Sequence, residues 1–249
     1  MYFRFFTKEK IKKKQSEIII SDPLQAHKIS KVLRKKTGDK IIILDNSGYE
    51  FLCKIKQATK KLVLLEILEK KENKNEPKLK VTLHQSIIKK DKLDFVFEKC
   101  TEIGVLKFQP ILSEHSVKLS FKEERLQKIL KEAAEQSRRG KIPMLSQVEK
   151  FEKVLKASDK ENINIIFHEK EKENFLINFL IDDKEIIGNN KEINIFVGPE
   201  GGFSDKEIEA AKEEGFLVFS LGKRTLRAET AAIFSSSLIL SLEQYLKKQ

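Results

Sequence analysis

At 249 residues and 40% hydrophobic content, the chain can bury one large core or two unequal ones, which argues against disorder. No apolar run has membrane length, and the N-terminal MYFRFFTKEKIKKK lacks the apolar stretch and cleavage site of a secretory signal; a cytoplasmic location and no membrane partner are expected. The formal charge of +11 is unevenly placed: residues 1–72 hold 18 basic and 9 acidic side chains, for +9, and the remainder carries +2, a polarity that suits a polyanion such as nucleic acid.

Strands dominate the first seventy residues. Phe3, Phe5 and the run Glu17–Ile20 come first, followed by a helical stretch over Gln25–Lys36. DKIIILDNSGYEFLCKI then predicts a hairpin turning at Asn46-Ser47-Gly48, and KLVLLEIL a closing strand. These elements describe a small β-rich, barrel-like domain over residues 1–72, with Arg34 and Lys35 in a basic cluster. The polar KKENKNEPKLK, Lys70–Lys80, is the linker to a second domain over 73–249.

Beyond it the pattern alternates. Short apolar strands are predicted at Val81–Ser86, Phe108–Leu112, Ile163–Phe167, Ile193–Val197 and Phe216–Leu221, with amphipathic helices between them. One helix sets Leu93, Val96, Phe97 and Cys100 on a face and stops at Gly104; another aligns Leu126, Ile129, Leu130 and Ala133. The inference is an α/β fold with a parallel sheet covered by helices on both faces.

Three of the ten glycines fall in Gly198–Gly202, GPEGG, between the strand INIFV and a capping box opened by Ser204 and Glu207. Ligands of open parallel sheets lie beyond the carboxyl ends of the strands, where this loop must be. No Gly-Lys-Ser/Thr follows it and it is not G-x-G-x-x-G, so a phosphate cradle is poorly supported. The next strand runs through Gly222 into Arg224, Thr225, Arg227, Glu229 and Thr230, a convergence of polar groups at a neighbouring strand end. Only seven arginines stand against 42 lysines, and Arg138-Arg139 and Arg224/Arg227 are paired, which marks sites wanting a planar fork. Cys53 and Cys100 read as buried free thiols, and the four histidines are too irregularly spaced for a metal site.

VGPEGGFSDKE followed by LGKRTLRAETA resembles the ribosomal RNA small subunit methyltransferase E family of the SPOUT class. KVLRKKTGDKIIILDNSG, FEKCTEIGVLKFQPILSEHS and EAAEQSRRGKIP, in the same order, extend the resemblance over nearly the whole chain. Lys223 and Thr225 vary the pattern of the last loop. The resemblance implies a PUA-like β-barrel followed by a SPOUT domain whose parallel-sheet chain is threaded into a trefoil knot. It further implies a homodimer and S-adenosylmethionine as methyl donor. The donor loops correspond to His168 and Glu169; to Val197, Gly198, Pro199, Glu200, Gly201 and Gly202; and to Leu221, Gly222, Arg224, Thr225 and Leu226.

The implied reaction is methylation of uridine N3 in 16S ribosomal RNA, the substrate being presented within the small ribosomal subunit. N3 must be unpaired and must lose its proton. Arg227, with Arg138 or Arg139 of the partner subunit, is expected to steady the uracil anion or a flanking phosphate, and Glu229 or Glu200 to take the proton. Arg34, Lys35, Gln136, Arg138, Arg139 and Arg227 are the expected RNA contacts. Two other readings stay open: a SPOUT enzyme acting on ribose or on transfer RNA, and a non-catalytic RNA-binding assembly factor.

Overall fold

The computed structural model describes residues 2–117, 122–182 and 192–246, with side chains described as far as Leu242. The chain forms two compact units, Met1–Glu76 with Ala134–Ile142, and Pro77–Ala133 with Pro143–Gln249.

In the first unit β1 (Arg4–Phe6), β2 (Glu17–Ile20), β3 (Lys40–Leu44), β4 (Tyr49–Ala58) and β5 (Val63–Glu72) make one sheet in the order β1-β3-β4-β5-β2. Only the β1–β3 pair is parallel. Register explains the unalternated run KIIIL. Ile41 and Ile43 stand opposite Cys53 and Phe51 and enter a core with Ile18, Ile20, Ile55 and Leu65. Ile42 and Leu44 point the other way, onto Phe6 and Ala134. Both faces of β3 are buried, so the usual polar alternation of an antiparallel strand is missing.

The second face is covered by 134–142, a stretch that the single boundary expected at residue 72 would leave with the second domain. It is fastened there by Glu135, whose carboxylate accepts the Phe6 amide at 2.9 Å, and by Asn46, whose side-chain oxygen accepts the Ile142 amide at 2.7 Å. The hairpin turns where expected, with Asn46 and Gly48 at φ +61° and +91°. The helix lies earlier than Gln25–Lys36: α1 spans Pro23–His27 and continues as a π-helical turn over Lys28–Val32. Asp22 caps the Leu24 amide and Pro23 fits the first turn, and Arg34, at φ +51°, ends the winding.

The second unit is a parallel sheet of β6 (Lys80–Ser86), β7 (Lys107–Leu112), β8 (Met144–Leu145), β9 (Glu149–Lys150), β10 (Ile163–Phe167), β11 (Glu192–Val197) and β12 (Leu217–Phe219). The order is β12-β10-β11-β6-β7-β8, with β9 also on β7. The five predicted strands are present; β8 and β9, two residues each, are too short to give a sequence pattern. Helices are α2 (Lys90–Ile103), α3 (Glu123–Gln136), whose last turn belongs to the first unit, α4 (Phe151–Ala157), α5 (Leu176–Asp182), α6 (Asp205–Glu213) and α7 (Ala228–Leu246). α2 buries Leu93, Val96, Phe97 and Cys100, as its periodicity requires, and packs on α7. Burial pushes the thiols of Cys53 and Cys100 up to about 12, so neither is a nucleophile at neutral pH.

The chain leaves β6 towards β7 and leaves β11 towards β12, in opposite directions across the sheet. The two strands are neighbours, and the crevice above such a reversal is where open α/β sheets bind ligands. Across the strands beneath it runs a polar ladder. The Asn194 amide donates to Asn164 Oδ1 at 2.8 Å, and His84 Nε2 lies 3.4 Å from Asn194 Oδ1. Burial holds the His84 imidazole down at about 3. Among the described residues no helix is long and apolar enough to cross a membrane.

Candidate active site

Three strand-to-helix loops meet at the carboxyl end of the sheet. β10 delivers His168 and Glu169, and the His168 amide donates to Phe219 O at 3.1 Å, tying this loop to the end of β12. Burial, with the Lys170 ammonium, holds the His168 imidazole below its ordinary range, while Asp205 and Glu169 oppose the shift. β11 delivers Gly198–Gly202, which folds back as a turn closed by the Gly202 amide on Pro199 O at 3.0 Å. A Cβ on Gly198 would lie 3.1 Å from Gly202 C and Phe203 N, so any larger residue would have to push that returning backbone back by a few tenths of an ångström. Next, the Ser204 hydroxyl and the Glu207 carboxylate form the expected capping box of α6. β12 delivers the third loop, where Gly222 takes φ +128° and the Ser220 hydroxyl donates to Gly222 O at 3.2 Å.

Together these loops line a cleft of about 110 Å³ that is half open to solvent, placed at the strand ends where open α/β sheets bind small-molecule ligands. Of the residues expected to hold a donor, His168, Glu169, Val197, Gly198, Pro199, Glu200, Gly202, Leu221, Gly222, Arg224, Thr225 and Leu226 line it. Gly201 does not: its carbonyl, like that of Gly202, accepts from His115 Nδ1, at 3.2 and 3.1 Å. Phe167, Lys172, Phe203, Ser220, Lys223, Ala228 and Ala231 also line the cleft; Phe203, Lys223, Ala228 and Ala231 fall within the quoted motifs without having been named as donor contacts, and Phe167, Lys172 and Ser220 lie outside them.

At one edge of the cleft two carboxylates face one ammonium. Lys92 Nζ stands 3.5 Å from Glu200 Oε1 and 3.7 Å from Glu229 Oε2. Glu229 Oε2 is buried without a hydrogen-bond partner. Glu229 opens α7 between Ala228 and Ala231, which line the cleft, and Arg227 precedes it with an exposed side chain. Among the described residues no cluster of three or more histidine, cysteine or acidic side chains could hold a metal ion.

Residues 74–240 match the RNA methyltransferase domain family and residues 27–68 the RNA methyltransferase PUA domain family. The ribosomal RNA small subunit methyltransferase E of Bacillus subtilis is 31% identical over 245 residues, 96% of this chain and 94% of that protein. Its counterpart from Mesomycoplasma hyopneumoniae is 35% identical over 237 residues, 93% of this chain and 96% of that protein. The chain belongs to the ribosomal RNA small subunit methyltransferase E family. A crystal structure of the Neisseria gonorrhoeae member, bound to S-adenosyl methionine, superposes with a TM-score of 0.87 at 30% identity, covering 97% of this chain and 98% of that one.

As a family member, the chain presents its expected RNA contacts unequally. Arg34, Gln136 and Arg138 are exposed, and Lys35 lies partly buried with its ammonium 5.3 Å from the centre of the Phe3 ring. Arg139 is a correction: it is 2% exposed, and its guanidinium pairs with Glu76 at 2.8 Å. Glu76 also accepts the amides of Gly140 and Lys141, at 2.9 and 3.1 Å. The fork that the sequence assigned to RNA is spent on closing the first unit, a use that a pair of adjacent arginines does not disclose.

Proposed function

We propose that this protein transfers a methyl group from S-adenosylmethionine to N3 of a uridine in 16S ribosomal RNA, acting as a cytoplasmic homodimer on the small ribosomal subunit. The observation that carries the reading is the cleft at the sheet's carboxyl end, where Gly198 lets the backbone fold back and leaves Glu200 on the wall. These residues fit the donor: a wall of backbone and apolar groups suits an adenosine, and a carboxylate suits a sulfonium cation. When bound, the donor supplies a methyl carbon whose bond to sulfur breaks, with the electron pair staying on sulfur, as N3 takes the carbon.

The chain's own residues handle charge. The N3–H proton passes to a carboxylate at the cleft edge, Glu229 or Glu200, and leaves from there to solvent. Arg227, with Arg138 of the partner subunit, steadies the charge spread over the uracil carbonyls or holds a flanking phosphate.

The test is methylation of small ribosomal subunits lacking the mark, read as reverse-transcription stops, since an N3 methyl blocks pairing. A single new stop at a uridine supports the reading, with Arg227→Lys abolishing turnover in a folded protein. Stabilisation by donor without any stop points to another target, and neither effect to a binding factor without catalysis.

A further inference from the structure

Lys92 has no part in the glycine motifs and does not line the cleft, yet it is the cation placed between the two carboxylates at its edge. It lies in the first turn of α2, the helix that follows β6. β6 and β11 flank the reversal in the sheet, so Lys92 approaches from the opposite side of the crevice to the loop carrying Glu200.

The contacts do not look like those of a stabilising bridge. Arg139 meets Glu76 at 2.8 Å in a buried, multiply hydrogen-bonded pair, whereas Lys92 stays at 3.5 and 3.7 Å from its partners, with side-chain exposures of 25%, 32% and 14% for Lys92, Glu200 and Glu229. Such loose, partly wet pairs add little to stability. Meanwhile Glu229 Oε2 is buried without a hydrogen bond, a costly state that native structures reserve for a purpose. A carboxylate oxygen with no hydrogen bond on it, and with an ammonium 3.7 Å away to orient it, keeps a lone pair open to a proton.

Building on the methyl-transfer reading above, we infer that Lys92 is a positioning residue for the reaction, holding the Glu229 carboxylate on the Glu200 side of the cleft as the acceptor of the uridine N3 proton. In this step the N3–H bond breaks, the proton joins a Glu229 oxygen, and the N3 electron pair is left for the new bond to carbon. The neutralised Glu229 releases Lys92 towards Glu200, and loss of the proton to solvent restores the triad.

The experiment compares wild type, Lys92→Met, Lys92→Arg, Glu229→Gln and the Lys92→Met/Glu229→Gln double variant. It measures kcat on unmethylated subunits, donor dissociation constant and melting temperature. Lys92→Met should lose at least about tenfold in kcat with donor affinity within about twofold of wild type. Lys92→Arg should recover most of that loss. In the Glu229→Gln background Lys92→Met should cost nothing further, because the group it positions is gone. Wild-type kcat in Lys92→Met, additive losses in the double variant, or a donor affinity that falls in step with kcat would each overturn the inference. A wild-type protein that leaves no stop on the RNA overturns the methyl-transfer reading itself, an outcome separate from these three.

Discussion

The Glu207 carboxylate accepts the Glu114 amide with one oxygen and the Ser204 amide with the other, each at 2.9 Å. It is 94% shielded from solvent, with a relative exposure of 6%. One side chain thus caps α6 and ties the loop after β7 to the loop after β11. Glu207→Ala leaves both amides without their acceptor and should cost roughly 2–4 kcal/mol, read by chemical denaturation. It should also weaken donor binding, read as a smaller thermal shift on adding S-adenosylmethionine.

Gly198→Ala places a methyl 3.1 Å from backbone atoms of Gly202 and Phe203. Backbone cannot rotate aside as a side chain can, so the turn must shift by a few tenths of an ångström. The expected result is a folded protein with donor affinity reduced by at least about tenfold, a loss of ~1.4 kcal/mol. Isothermal titration measures it, and unchanged affinity would remove this turn from the donor site.

The adjacent arginines should separate cleanly. Arg139→Ala takes the guanidinium from the half-buried Glu76, which keeps the Gly140 and Lys141 amides, and should destabilise by roughly 1–3 kcal/mol, seen in the denaturation midpoint. Arg138 is exposed; Arg138→Ala should leave stability unchanged and reduce the salt dependence of RNA binding by about one unit of slope. Filter binding over a salt series gives that slope.

His84 makes stability pH-dependent. Its imidazole is held at about 3 in the fold against an ordinary value of 6.5, so between these values the unfolded chain binds more protons. Stability from this group is complete above about 6.5 and declines as pH falls towards about 3, amounting to about 2 kcal/mol lost by pH 5. Unfolding midpoints measured from pH 7 to 5 should fall, and His84→Gln should flatten the dependence.

The longer strands of both units were legible because each carries a local signal. Val81–Ser86 and Ile193–Val197 are apolar runs of strand length, and Asn46-Ser47-Gly48 is a turn whose residues tolerate the left-handed backbone that it adopts. The cleft was legible for the same reason: glycine-bearing loops follow two of these strands, and a parallel sheet sends such loops to one end. Gly201 shows the limit, since a motif names five consecutive residues and not which of them turns towards His115.

Contacts between groups far apart in the chain left no such trace. Lys92 is one lysine among 42, and only the adjacency of β6 and β11 brings it to Glu200, 108 residues away. Arg139 looks like a nucleic-acid contact until Glu76 closes on it. The sequence by itself determined the longer strands, their order, the position of the glycine loops and the family, all of which depend on neighbours within a few residues or on matching motifs. The tertiary structure decided which charges are spent on packing and which remain at the cleft, because an ion pair depends on distance in space and on the water removed around it.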